Sequence, residues 1–79
     1  MQKWEYAKLL VFDHKVLEVN GQQVGDISFF SGAKGPPLYE YLNHMGKEGW
    51  EVVGLSPATS TGEARGSVEI IVILKRPLP

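Results

Sequence analysis

Only one stretch of this sequence carries helical periodicity, and it limits the fold to a sheet with a single helix. Between Pro36-Pro37 and Gly49, the residues Leu38, Tyr41, Leu42 and Met45 recur at three- and four-residue spacing, while Glu40, Asn43, Lys47 and Glu48 take the opposite side. This is the stripe of an amphipathic helix. Proline suits its first turn, where a missing N–H goes unused. Gly49 stands where a left-handed C-terminal cap belongs, and Gly46 falls in the last turn, so the helix is expected to end near Lys47.

The flanking segments read as strands. Trp4 to Phe12 is aromatic and β-branched, with Trp4, Tyr6, Leu10 and Phe12 on one face. Val16–Val19 and Gln22–Val24 flank Asn20-Gly21, a dipeptide suited to the two positive φ angles of a type I′ turn, so a short hairpin is expected there. Ile27 to Phe30 could continue it, and Ser31-Gly32-Ala33-Lys34-Gly35 reads as a loop. Trp50–Ser56 and Ser67–Arg76 form two more strands, each stopped by a proline, and the polar segment 58–66 joins them. The expected fold class is α+β: a small antiparallel sheet of three main strands plus an inserted hairpin, with one helix on one face, in a single domain spanning 1–79.

Seventy-nine residues make a marginal core, and small domains commonly gain stability from disulfides, metals or oligomerisation. There is no cysteine, and His14 and His44 stand apart in the chain without a ligand motif around them, so neither metal nor cofactor is expected. Oligomerisation is the remaining route. Eight basic against nine acidic side chains give a net charge of −1, which argues against a duplex DNA partner. No apolar run approaches a membrane span, and cytoplasmic residence is the expectation, in a host cell if the gene is viral.

In its middle the last strand is apolar on both sides, Val68, Ile70, Val72 and Leu74 alternating with Glu69, Ile71, Ile73 and Lys75. A helix on one side leaves the other side uncovered, and Leu9, Val11, Ile71 and Ile73 are the residues expected to need a further partner. The expectation is a homo-oligomer packed sheet to sheet; the alternative is that 16–30 folds back over that face.

Lys3-Trp4-Glu5-Tyr6, Leu42-Asn43 to Gly46, Glu48-Gly49-Trp50-Glu51-Val52-Val53 and Ile73-Leu74-Lys75-Arg76-Pro77, taken in order, resemble the domain of unknown function 4177 family. The family consists of small bacterial and phage proteins with a strand, helix, strand, strand plan. The Glu-Gly-Trp-Glu block is the most specific part of the match, and 16–30 is a longer connection than the family's. The resemblance implies the fold and carries over no catalytic residue.

An enzyme would need converging nucleophile, base, carboxylates or metal ligands, and the sequence displays none in a known spacing. His44 with Glu40 one turn earlier reads as a helix surface pair, and Asp13-His14 as a turn. Trp4, Tyr6, Tyr39, Tyr41 and Trp50 could stack on bases, although Trp4 and Trp50 at strand starts suit closure of a small core, and single-stranded nucleic acid lacks an evident basic groove. Tyr39 lies off the apolar stripe.

Two loops hold the candidate ligand residues. Lys34 and Gly35 lead into the helix start, where free N–H groups favour an anion, though Pro36 and Pro37 remove two donors. Thr59, Ser60, Thr61 and Arg65 offer hydroxyls and a guanidinium. The functional expectation is a non-enzymatic oligomeric binding protein that sequesters a small anionic or nucleotide-type ligand through Lys34, Gly35, Tyr39, Thr59, Ser60, Thr61 and Arg65, similar in size and make-up to phage anti-defence sponges. The alternative is a protein-interaction module that uses the apolar face or the edge of the first strand.

Overall fold

A computed structural model describes residues 1–28, 32–58 and 69–79. The elements run β1 (Trp4–Phe12), β2 (Lys15–Val19), β3 (Gln22–Gln23), β4 (Asp26–Ser28), β5 (Gly32–Lys34), α1 (Leu38–Lys47), β6 (Glu51–Ala58) and β7 (Glu69–Pro77). The fold class is α+β. The main sheet is antiparallel in the order β3-β2-β1-β7-β6, and β4 and β5 form a separate two-stranded ribbon.

The sheet has five strands in one layer, not three main strands with an inserted hairpin, and two tight turns account for this. Asp13 and His14 both take positive φ, 51° and 65°, so Lys15 comes to lie opposite Phe12 and β2 runs back along β1. Asn20 and Gly21, at 53° and 85°, repeat the device and bring β3 onto β2. Asn20 anchors its turn to β1: its Oδ1 accepts from Lys8 N, and its own N–H donates to the Lys8 carbonyl, both at 2.8 Å. The expected loop 31–35 contains a strand instead, since Gly32–Lys34 pairs with Asp26–Ser28.

That ribbon crosses β2 closely. A methyl carbon built at Gly25 would lie 2.5 Å from the Lys34 carbonyl oxygen and 2.6 Å from that of Val16, and one at Gly35 would lie 2.5 Å from the same Val16 oxygen. Two glycines are what this crossing demands. The chain then passes along β2: Val16 N donates to the Pro36 carbonyl and Leu38 N to the His14 carbonyl, both at 2.9 Å. Pro37 is the extended residue before the helix, with ψ 141°.

The helix ends as its sequence suggests. Gly49 has φ 94°, Trp50 N donates to the Met45 carbonyl and Gly49 N to the Gly46 carbonyl, the pair of bonds that defines a Schellman cap. Trp50 and Met45 then pack in the same cluster.

The core lies between α1 and one sheet face: Ala7, Leu9 and Val11 of β1, Val16 of β2, Val72 and Leu74 of β7, and Met45, with Leu38, Tyr41 and Leu42 against them. This corrects the expected second-face set. Leu9 and Val11 are fully buried beneath the helix, whereas Ile71 and Ile73, opposite Leu10 and Lys8, lie on the other side of the sheet. The reason is the two-residue alternation of a strand: odd positions of β1 align with even positions of β7. Phe12 and Leu17 are also buried but stand outside that cluster, at the end where the ribbon crosses Val16.

Candidate functional site

Lys34 and Gly35, two of the expected ligand residues, line an open depression of about 440 Å³ with Gln23, Val24, Gly25 and Asp26. Lys34 lies directly across the ribbon from Asp26, so a carboxylate accompanies the ammonium there. The helix start beside it offers fewer donors than most: Pro36 and Pro37 have no N–H, and that of Leu38 is given to the His14 carbonyl. Tyr39 is exposed on the helix and does not line the depression. Thr59, Ser60, Thr61 and Arg65 lie outside the described residues.

Arg76 is the centre of the best-connected polar cluster among the described residues. Its Nε donates to Glu5 Oε1, its Nη1 donates to the Glu48 carbonyl at 3.1 Å, and its guanidinium stands 4.5 Å from the centre of the Trp50 ring. One side chain thus holds β7 to β1, to the helix C-terminus and to the start of β6. Both partners of the ion pair are about a third exposed, so Coulomb attraction contributes little and the geometry matters more. On the opposite face Lys75 Nζ lies 4.0 Å over the Trp4 ring. Arg76 ties secondary-structure elements together.

Among the described residues no group of three His, Asp or Glu is placed to hold a metal ion. Tyr41 and His44 are a tilted ring pair, with centroids 6.0 Å apart on the helix surface. Among the described residues no helix is long and apolar enough to cross a membrane.

The exposure of β6, expected as the strand Trp50–Ser56, is the feature that sequence reasoning missed. All seven residues from Glu51 to Pro57 are exposed, including Val52 at 45%, Val53 at 53% and Leu55 at 66%. Among the described residues β6 is an edge strand paired only with β7, whereas β1, whose edge was the alternative expected to bind a protein, is an interior strand. Its outer edge is interrupted by a register shift between Val52 and Gly54 and by Pro57, both devices that discourage strand addition. The available signal was Val52, Val53 and Leu55 followed by a proline, which marks an edge.

A small α+β sheet domain, with its side chains spent on joining elements and on an uncovered apolar strand, is the class that fold and surface define. The chain belongs to the family described as Domain of unknown function (DUF4177), whose model matches residues 4–77. No curated protein and no solved structure matches it.

Proposed function

We propose that the protein is a non-enzymatic binding module that works as an assembly of identical chains, with β6 in the contact between them. The exposure of Val52, Val53 and Leu55 supports this reading. Apolar side chains grouped on one strand of a small domain gain about 25 cal/mol for each Å² removed from water. Glu51 is the sole charge from 51 to 57, so a second copy of the strand meets little repulsion. The interrupted main-chain edge favours contact through side chains over continuation of the sheet.

Light scattering on the eluting protein tests this. An oligomer at about 10 μM that becomes a monomer on Leu55→Glu supports the assembly, and a wild-type monomer at that concentration rules it out.

Capture of a small anionic ligand is the second reading, supported by Lys34 at the rim of an open depression. Native mass spectrometry after exposure to a metabolite extract tests it. A discrete added mass lost in the Lys34→Ala, Arg65→Ala double variant supports capture, and an unchanged adduct in that variant overturns it.

A further inference from the structure

The face of the sheet turned away from the helix carries a patch that no sequence neighbourhood displays. Register places Tyr6 opposite Lys75 and Lys8 opposite Ile73, and directly paired residues project to one side. Trp4, Tyr6 and Lys8 therefore stand in a row on β1, each about 6.6 Å from the next, with Lys75 beside them on β7. Tyr6 is 61% exposed and Trp4 37%. Lys75 is braced over the Trp4 ring, which holds an ammonium beside the open phenol ring.

An exposed ring flanked on both sides by ammonium groups suits a partner that offers flat π-faces and negative charge at short, regular intervals. We propose that Trp4, Tyr6, Lys8 and Lys75 form a docking surface for single-stranded nucleic acid. A base stacks on Tyr6, Lys8 and Lys75 meet the flanking phosphates, and Trp4 positions the Lys75 ammonium. Aromatic residues on an open sheet serve in this manner because every base has a π-face, and two lysines provide a site for a short strand without base selection. Glu51, opposite Lys75 on β6, repels phosphate on that side and directs the strand along β1. A duplex would keep its bases stacked and offer Tyr6 nothing.

The test is anisotropy of a fluorescein-labelled twelve-nucleotide oligothymidylate with the intact chain at about 50 mM salt. Saturable binding is expected, weakened about tenfold or more by Tyr6→Ala and restored by Tyr6→Phe. The slope of log affinity against log salt should be about −1.4, falling in magnitude by about 0.7 with Lys8→Ala. Tyr39→Ala, which removes an exposed ring on the helix, should change nothing. Lack of saturable binding up to about 1 mM protein overturns the proposal. So does equal loss with Tyr39→Ala, equal affinity for the duplex, or equal competition by free thymidine monophosphate, which would mean a mononucleotide site.

Discussion

The Arg76 guanidinium stands over the Trp50 ring, 4.5 Å from its centre, while its Nε donates to Glu5. These three residues come from β7, the segment after the helix and β1, and they meet beyond the buried core at one end of the sheet. The most recognisable parts of the sequence, Trp4-Glu5, Glu48-Gly49-Trp50 and Lys75-Arg76, therefore form a joint between elements.

Arg76→Ala is expected to lower stability by about 1–2 kcal/mol, because an ion pair about a third exposed and a surface cation–π contact each contribute about 1 kcal/mol or less. Arg76→Lys should recover under half of this, since an ammonium cannot reach Glu5, the Glu48 carbonyl and the Trp50 ring at once. Urea unfolding followed by tryptophan fluorescence measures both.

The two helix glycines should respond in opposite directions. Gly49→Ala places a side chain at φ 94° and should cost about 1 kcal/mol, although there is open space around it. Gly46 lies inside the helix with nothing within 4 Å of an added methyl, so Gly46→Ala should stabilise by up to about 1 kcal/mol. Thermal melts of the two variants give the comparison.

At the ribbon crossing, Gly25→Ala and Gly35→Ala each drive a methyl into the Val16 carbonyl oxygen. A loss of about 2 kcal/mol or more is expected, with faster amide exchange at Val16 and Val24 as the ribbon lifts. Exchange at Leu9 and Val72 should keep its rank as the slowest.

The face assignment is tested by a pair of truncations. Leu9→Ala should cost about 2–5 kcal/mol because its site is closed on all sides, whereas Tyr6→Ala should stay within about 1 kcal/mol. Equal costs would mean that β1 presents its other face to the helix.

The helix was legible because Leu38, Tyr41, Leu42 and Met45 carry a period that no strand can imitate, and Asn20-Gly21 was legible because few dipeptides tolerate two positive φ angles. The face of β1 was harder to read. Its large aromatic residues occupy even positions, yet the helix closes over Ala7, Leu9 and Val11, where a small residue permits close approach. Strand alternation identifies two faces without saying which is covered. The turn at Asp13-His14 gave only a weak signal, and β5 gave none, since Gly32 and Ala33 have low strand propensity and are held by pairing with β4. Of the candidate ligand residues, Lys34 and Gly35 fall together, Tyr39 lies elsewhere, and a pattern of loop hydroxyls carries no information about which loops meet.

The pairing of β1 with β7 has a consequence for how the molecule comes into being. The sheet's central ladder joins strands far apart in the sequence, from Trp4 against Pro77 to Phe12 against Glu69. Leu9 finds its cross-strand partner Val72 only after every intervening element has been synthesised. Closing such a long loop before any core contact rewards it makes the search slow relative to a helical chain of equal length. The sheet's centre is completed by β7, which comes after all the strands it joins.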